Sequence, residues 1–482
     1  MLKRMLHDGT VYSISSFLGR GIALILVPFY TKVFSPTDYG IIDIFSVVAS
    51  LTFLIVALEI SQSVARFYPE LEDLNTKKSY ASTALIFTII SYLIFGFLMF
   101  SFADFIGHKI LDKQYFKSLY SIAIIQIVIA GISRFLINQL RLQFRSKTYA
   151  LVNITNLVVT SIAAIYLVLV IRIGVIGTFY AALIGSSSTL ILAFSLSTHD
   201  YGLVFSKKKL VEMLRFSLPF VPSSIAVFLS LFTDRIMIKE MLSLNELGLY
   251  GIAFRFSSII IVLVSGFRTA LSPLIYKYYK RESTKLELSK LLNIFVFFGG
   301  LFVSLMFLFP KEILQLLTSS DYIGAWKIIG ILTLIAIISN LYIFTPGASI
   351  AKKTIHLLLA NLIGASSNVI FNYLLIPVFG VFGAAIGTLI SAILVFIYYL
   401  TNSQRYYRIP FQTIQLIKFI LVFLILIGFS VTANIYFSTS LGMIALKTII
   451  LVIFSVLSLK LLITNWKDYF FKIRSYIIYK LT

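Results

Sequence analysis

The chain has 482 residues, of which 59% are hydrophobic and 12% are charged, whereas a soluble domain is typically about one quarter charged. This composition excludes a soluble globular protein and indicates an integral membrane protein. Cysteine is absent, which excludes disulfides and cysteine-ligated metals, and the net charge of +22 requires an account of where the cations lie.

Apolar segments recur along the whole chain, each close to the length of about 20 residues that a helix needs to cross a membrane. We predict about fourteen such spans, and therefore an all-α integral membrane fold. Counted along the sequence, the predicted spans begin near Thr10, Ile41, Tyr80, Tyr115, Thr148, Val175, Phe216, Leu247, Leu291, Tyr322, Ile355, Val381, Thr413 and Gly442.

Most loop lysines and arginines fall on the side of the N-terminus, as the positive-inside rule expects of a cytoplasmic face. We therefore expect a multi-pass protein of the cytoplasmic (inner) membrane, surrounded by membrane lipids, with both termini in the cytoplasm. This placement accounts for the net charge, so nucleic acid is not an expected partner. The tail at 466–482 mixes aromatic, aliphatic and basic residues, which is typical of an amphipathic helix on the cytoplasmic leaflet or of a plain anchoring tail.

Two landmarks repeat at nearly the same offset along the chain. The turn at 35–40 (Ser-Pro-Thr-Asp-Tyr-Gly) matches the turn at 243–248 (Ser-Leu-Asn-Glu-Leu-Gly), and each predicts a serine cap for the next helix. The turn at 174–177 (Gly-Val-Ile-Gly) recurs at 380–383 (Gly-Val-Phe-Gly). Repeated halves are typical of transporters, and we predict two six-helix lobes with two helices appended. The predicted domains are an N-terminal lobe at 1–205, a C-terminal lobe at 206–410, transmembrane helices 13 and 14 at 411–465, and the cytoplasmic amphipathic tail at 466–482.

Short motifs are spread over the whole chain. They are Gly19 and Pro28 in the first span, Phe34-Ser-Pro-Thr-Asp-Tyr-Gly40, Ala65-Arg-Phe-Tyr68, Thr233-Asp-Arg-Ile236, and Asn372-Tyr-Leu-Leu-Ile-Pro377 followed by Gly380-Val-Phe-Gly-Ala-Ala385. Their order and spacing resemble the polysaccharide biosynthesis flippases, the O-antigen-type members of the multidrug/oligosaccharidyl-lipid/polysaccharide exporter superfamily.

This resemblance implies a MATE-like fold of two six-helix bundles around a central cavity, with the first, second, seventh and eighth helices prominent in its lining. It also implies the substrate, an oligosaccharide repeat unit on a polyprenyl diphosphate such as undecaprenyl diphosphate, moved to the outer leaflet. Such units serve surface polysaccharide biosynthesis (O-antigen, capsule or exopolysaccharide), so a polysaccharide polymerase and other assembly proteins are candidate partners. Fourteen spans in place of twelve resemble the lipid II flippase and some polysaccharide exporters.

Ionisable residues lie well inside only the first, second, fourth, seventh, eighth and tenth predicted spans. A charge at membrane depth costs roughly 2.5–3.5 kcal/mol on insertion scales, so it normally faces a partner or a wet cavity. Five arginines are candidate substrate-binding residues, because a guanidinium binds phosphate with paired hydrogen bonds. They are Arg20, Arg66, Arg134, Arg255 and Arg268.

These arginines are predicted at different depths, and four of them have an alternative role. Arg20 lies near mid-membrane, where it could instead be a buried partner of Glu59 or of a helix carbonyl, and Arg255 lies in the outer half. Arg66 closes the second span at the cytoplasmic boundary, where an interfacial anchor is the alternative. Arg134 and Arg268 fall in the cytoplasmic half, from which their side chains can also extend to the headgroups.

Glu59 is the only acid deep in a predicted span. It either exchanges protons or helps to bind Na⁺ during transport, or it forms a static pair with an arginine. Asp234 at the end of the seventh span is the second candidate for ion coupling, and a solvated local ion pair with Arg235 is its alternative. Asp43 and Lys327 lie near helix starts and are expected at the interface. No cofactor is expected besides a coupling H⁺ or Na⁺, and no spacing of His, Asp or Glu indicates a metal site.

Three functions compete at this point. An excess of intramembrane arginines over deep acids suits an anionic lipid diphosphate and opposes the alternative of a multidrug or organic-cation antiporter. A membrane enzyme such as a polymerase or glycosyltransferase should need a sizeable outer loop or paired carboxylates, and the sequence has neither. We predict a flippase for polyprenyl-diphosphate-linked oligosaccharide, not an enzyme, that works by alternating access, with a lipid II flippase as a further alternative.

Overall fold

The structure is a computed structural model, and it describes residues 21–22, 25–105, 116–143, 145–353, 355–437 and 439–463. The elements in these ranges are α-helices, short 3₁₀ turns and one π-helical turn at Ile165–Val170, which confirms the predicted all-α class. The start of the first predicted span, with Arg20, and the tail at 466–482 lie outside the described residues.

The chain divides into two units, which are described separately. Unit 1 comprises Met1–Gly251 and Asn372–Val381, and unit 2 comprises Ile252–Phe371 and Phe382–Thr482. The predicted lobe boundaries stay a prediction. The helices that begin in unit 1 are α1 (Val27–Thr31), α2 (Pro36–Ile55), α3 (Ile60–Phe67), α4 (Leu74–Ser101), α5 (Phe116–Leu142), α6 (Ser146–Ala164), α7 (Ile176–Ser197), α8 (Lys207–Ser217), α9 (Phe220–Met241) and α10 (Leu244–Ser257).

The remaining helices begin in unit 2, and a buried apolar core built largely from phenylalanine and leucine joins several of them. Phe295 and Phe344 are part of this core, with ring centroids 5.2 Å apart. The helices are α11 (Ile259–Tyr278), α12 (Glu282–Leu308), α13 (Pro310–Leu317), α14 (Trp326–Ile338), α15 (Gly347–Ile350), α16 (Ile355–Tyr406), α17 (Thr413–Tyr436) and α18 (Leu441–Leu462).

Among the described residues, 12 helical segments are long and apolar enough to cross a membrane. This number is lower than the predicted fourteen for two reasons. The start of the first predicted span lies outside the described residues. The predicted eleventh and twelfth spans form the single run α16, whose 52 residues would extend about 78 Å if straight, more than twice the hydrocarbon thickness.

Both predicted tight turns depend on a glycine with positive φ. Gly174 has φ +74° between the π-helical turn and α7, and Gly380 has φ +58° and ψ −139° inside α16. The Gly380 conformation is essentially restricted to glycine, because a Cβ would clash with the backbone. The structure therefore confirms that the helical run breaks at Gly380, between the predicted eleventh and twelfth spans.

The repeated serine turns cap α2 and α10 as predicted. Ser35 forms a capping box with Asp38, and the Ser243 hydroxyl accepts a hydrogen bond of 3.2 Å from the Glu246 N–H. The glycines that end the two turns lie where these helices meet within unit 1. A Cβ on Gly40 would collide with the carbonyl oxygen of Leu244, and a Cβ on Gly248 would collide with that of Pro36.

The amphipathic helix α8 docks on α3 and α4 of unit 1. The Ser63 hydroxyl donates to the Met213 carbonyl at 2.5 Å, and the Tyr80 hydroxyl donates to the Glu212 carboxylate at 2.6 Å. At the start of α4, hydrogen bonds from the Thr76 hydroxyl and from backbone N–H groups hold the pKa of the capping Asp73 below its usual value. These contacts fix the ends of the helices that surround the candidate site.

The glycine contact between α2 and α10 can be tested with Gly248→Ala. We expect a loss of about 1–3 kcal/mol in the free energy of unfolding, because the added methyl group overpacks a backbone contact. The measurement is thermal unfolding of the purified protein in detergent. Gly428→Ala in α17 is the matched control, since no atom lies near its Cβ position and alanine favours a helix. Equal melting temperatures for both variants would contradict the close contact.

Candidate functional site

Glu59 lies at a break in the predicted second span, between α2 and α3. Leu58 and Glu59 both have positive φ, at +47° and +55°, which is uncommon for residues other than glycine. The Glu59 Oε1 accepts a hydrogen bond of 2.5 Å from the Ser224 hydroxyl on α9, and its Oε2 lies 3.5 Å from Gln62 Nε2. Backbone and hydrogen bonds therefore position this carboxylate at a helix interruption.

A pocket of about 270 Å³ opens beside Glu59 within unit 1. It is enclosed by the C-terminal part of α2 and by α3, α4 and α5. Its polar and charged lining residues are Glu59, Ser61, Gln62, Thr88, Tyr92, Arg134, Asn138 and Arg141. The structure thus brings together two residues predicted from sequence, Glu59 and Arg134, and adds Arg141.

Arg134 is exposed, and its guanidinium lies 5.3 Å from the centroid of the Phe53 ring. Such a cation–π contact supports the charged group while leaving its N–H groups for other acceptors. In the described part of the chain, no arginine forms an ion pair with Glu59, although the position of Arg20 lies outside it. The pocket is therefore lined by two cations, Arg134 and Arg141, and by an anion, Glu59, that neither of them neutralises by direct contact.

Arg66 lies outside this pocket, in the last turn of α3. Its side chain is 50% exposed and forms an ion pair with Glu70, one helical turn further along the chain. An exposed pair of this kind contributes little to stability, typically about 0–1 kcal/mol.

Asp234 and Arg235 belong to a buried charge cluster of unit 1. Each is only 6% exposed, so the expectation of a solvated local pair is wrong. The Tyr250 hydroxyl donates to the Asp234 carboxylate, and Arg235 Nε lies 3.4 Å from the Asp43 carboxylate. Asp43 is also only 13% exposed, because α2, α9 and α10 pack around it, and its expected place at the membrane interface stays a prediction.

The predicted arginines of unit 2 lie in two settings. Arg255 is half-buried in the last turn of α10, and its carbonyl accepts a hydrogen bond of 2.7 Å from the Ser258 hydroxyl. Arg268 on α11 is exposed, and its Nη1 donates to the Tyr342 hydroxyl at 3.2 Å. Arg268 lines a pocket of unit 2 together with Tyr342 and Tyr399.

Sequence reasoning missed a buried cation on α18. Lys447 is 1% exposed, and its Nζ lies 2.6 Å from Glu312 Oε1 and 3.0 Å from Asn434 Oδ1. The signal was a lysine about two turns into a span whose other lysine, Lys460, lies in the last turn. Its partner Glu312 was harder to find, because it lies in the short helix α13 outside the predicted spans.

Comparisons with known proteins place the chain in a recognisable group. The model of a family described as "Polysaccharide biosynthesis protein" matches residues 5–279, and the MatE model matches residues 219–374. A curated relative, "Lsg locus putative protein 1" from Haemophilus influenzae, is 20% identical over 342 residues, which are 67% of this chain and 78% of the relative.

Two solved structures show the fold. The lipid II flippase MurJ in an inward closed conformation superposes with a TM-score of 0.69 at 20% identity, covering 94% of this chain and 100% of MurJ. An inward-facing multidrug resistance MATE transporter of the MOP superfamily superposes with a TM-score of 0.65 at 17% identity, covering 83% of this chain and 96% of the transporter. The predicted MATE-like architecture is therefore confirmed at the level of the fold.

The buried pair of Asp43 and Arg235 predicts a distinctive pattern of stability. Asp43→Leu alone should destabilise the protein by about 3–5 kcal/mol, because it leaves a buried guanidinium without this carboxylate. Asp43→Leu combined with Arg235→Met should recover part of the loss, since the second substitution removes the stranded charge. Denaturant or thermal unfolding of the wild type, both single variants and the double variant measures the coupling. A double variant as unstable as the sum of the two singles would contradict a direct interaction.

Proposed function

The chain belongs to the polysaccharide biosynthesis protein family, and we propose that it flips polyprenyl-diphosphate-linked oligosaccharide repeat units across the cytoplasmic membrane. It has the fold of MOP-superfamily transporters and not that of an enzyme. In the proposed cycle, the sugar and diphosphate enter from the cytoplasm while the polyprenyl tail stays in lipid. The two predicted lobes then rock to open outward, which is alternating access.

The observation that carries this proposal is the pocket of unit 1 lined by Glu59, Arg134 and Arg141. A guanidinium held over an aromatic ring can donate two hydrogen bonds to a phosphate oxygen pair, so Arg134 suits the diphosphate. Arg141 adds a second cation to the same lining. In the proposed cycle, Arg20, Arg66, Arg255 and Arg268 contact the diphosphate or the sugar at other depths of the membrane.

Glu59 is the proposed coupling group. The hydrogen bond from Ser224 holds one carboxylate oxygen, and the pocket gives the group access to water and ions. Return of the empty transporter is then driven by a proton or Na⁺ gradient. Asp234 is the second proposed coupling residue; it is buried, and its carboxylate accepts hydrogen bonds from the Arg235 backbone N–H and the Tyr250 hydroxyl.

Two other functions in the same superfamily remain candidates. A multidrug antiporter would bind organic cations, which the arginines of the unit 1 pocket disfavour by repulsion. The function of a lipid II flippase is also compatible with the fold, because this chain superposes on MurJ. In that case too, the substrate would be a lipid-linked diphosphate. The two flippase functions can be distinguished by deleting the gene and measuring surface polysaccharide and translocated cell-wall precursor. Loss of an oligosaccharide flippase should deplete the polysaccharide, whereas loss of a lipid II flippase should deplete the cell-wall precursor.

The site assignment predicts the outcome of charge removal. Arg20→Gln, Arg134→Gln and Arg255→Gln should each lower surface polysaccharide about 10-fold or more at normal protein abundance, since a hydrogen bond to a charged group contributes about 1.5–3 kcal/mol. Lys147→Gln is the matched control, because this exposed lysine lies in the first turn of α6, outside the pocket.

Normal polysaccharide in all three arginine variants would contradict the assignment. Export of an organic cation such as ethidium by the purified protein, with no movement of lipid-linked sugar, would favour the antiporter instead.

The coupling assignment is tested in proteoliposomes with an imposed pH or Na⁺ gradient. We expect Glu59→Gln to abolish the response of lipid flipping to the gradient, because glutamine cannot exchange a proton or carry a charge. Ser224→Ala should weaken the response while retaining the acid, because it removes the hydrogen bond that positions the carboxylate. A full gradient response in Glu59→Gln would exclude this residue as the coupling group and leave Asp234→Asn as the next variant to measure.

A further inference from the structure

Unit 2 contains a pocket of about 380 Å³ at the end of α11, beside the 3₁₀ turn Leu341–Phe344 and the C-terminal part of α16. This volume falls within the range of roughly 300–1,000 Å³ that small-molecule sites occupy. The polar side chains in its lining are Arg268, Tyr276, Tyr342, Thr345, Ser349 and Tyr399. Among the described residues that line it, Arg268 is the one charged side chain.

Two tyrosine rings form an aromatic surface in this pocket. The ring centroids of Tyr342 and Tyr399 lie 5.8 Å apart at an interplanar angle of 31°, and both side chains are half-buried. A half-buried ring offers a flat apolar face and keeps its hydroxyl at the edge. This combination suits a ligand with one C–H-rich face and a rim of hydroxyl groups.

The surface is held in place by its surroundings. Thr345 donates a hydrogen bond of 2.9 Å to the Tyr342 carbonyl, and the neighbouring Phe344 is fully buried against Phe295. Arg268 Nη1 donates to the Tyr342 hydroxyl at 3.2 Å, which uses one of the five N–H donors of a guanidinium. A ring position fixed in this way loses little conformational entropy when a ligand binds.

We propose that this pocket binds one pyranose ring of the oligosaccharide, which packs on Tyr342 and Tyr399 while Arg268 donates hydrogen bonds to its hydroxyl groups. The inference rests on the proposed function and names the part of the substrate that this pocket selects. A diphosphate fits the pocket less well, because two aromatic faces and a single cation give little charge to balance it. The described lining contains no carboxylate that would attract an amino sugar or repel an acidic one, so the pocket suits a neutral or acidic sugar.

The predicted topology puts this pocket where a substrate made in the cytoplasm would arrive first. In that topology, the cytoplasmic ends of three spans contribute to the pocket: the end of α11, the 3₁₀ turn and the end of α16. The sugar would therefore bind in this pocket before the lobes change conformation. Its proposed role is selection of the repeat unit, whereas the arginines of the unit 1 pocket hold the diphosphate.

The experiment separates sugar binding from binding of the lipid carrier. The purified full chain in nanodiscs is titrated by native mass spectrometry with bare undecaprenyl diphosphate. It is also titrated with the same lipid carrying a single glucose, galactose, N-acetylglucosamine or N-acetylgalactosamine. In the wild type, at least one attached sugar should increase affinity about 10-fold, the gain that one well-packed aromatic contact gives.

Substitutions at Tyr399 then assign that increase to the pocket. Tyr399→Leu should reduce the sugar-dependent gain to less than about twofold and leave affinity for the bare lipid unchanged, because it removes the aromatic face. Tyr399→Phe keeps the ring and should retain most of the gain. Tyr436→Leu is the control, since this tyrosine of α17 is 79% exposed and lies outside the pocket. Melting temperatures of all variants check that the fold is intact.

Each outcome bears on one of the two proposals. If the wild type binds the bare lipid but no attached sugar adds affinity, or if Tyr399→Leu keeps the full gain, the sugar pocket is wrong and the flippase proposal stands. If the wild type binds neither the bare lipid nor any sugar-linked form, the flippase proposal fails and the sugar pocket fails with it.

Discussion

The cost of an unpaired charge in a membrane is the constraint that orders this structure. Four of the described cations meet it in two ways. Arg235 and Lys447 are almost fully buried and lie against the carboxylates of Asp43 and Glu312. Arg134 and Arg268 are exposed: Arg134 lies over the Phe53 ring, and Arg268 donates a hydrogen bond to the Tyr342 hydroxyl. A buried carboxylate partner neutralises its cation, whereas an aromatic ring or a neutral hydroxyl group contacts the cation without cancelling its charge. The second pair can therefore bind an anion or a hydroxyl-rich ligand.

The buried pair of unit 1 depends on glycines. Gly40 and Gly248 allow the starts of α2 and α10 to meet through their backbones, and Gly251, one turn further, lies against the Asp43 carboxyl group. With side chains at these positions, α10 could not approach α2 closely enough to cover that carboxyl group. The repeated capping turns therefore do more than begin helices. They set the short distance between α2 and α10, and this close packing keeps Asp43 and Arg235 out of contact with lipid.

Much of the fold follows from sequence because the membrane restricts spanning segments to helices of one length. The serine caps and glycine turns were predictable for the same local reason, since each involves residues a few positions apart. The candidate site was less accessible. The sequence predicts that Glu59 and Arg134 lie inside membrane spans, but it does not indicate their common pocket, which depends on how α2, α3, α4 and α5 pack. The sequence wrongly predicts a solvated Asp234, because a charged pair at a helix end usually reaches water unless a third helix covers it.

The interruption at Leu58 and Glu59 shows how the structure positions its acid. Two consecutive residues other than glycine in the left-handed region cost of order 1–3 kcal/mol each, and a continuous helix would avoid this cost. The conformation persists because neighbouring contacts hold it, including the hydrogen bond from Ser224 on α9. In a continuous helix, each residue is rotated by about 100° from the one before it. The Glu59 side chain would then leave the backbone in a different direction from the one it has at the interruption. Any movement of α9 relative to α2 must therefore change the surroundings of Glu59, which mechanically links this acid to helix motion within unit 1.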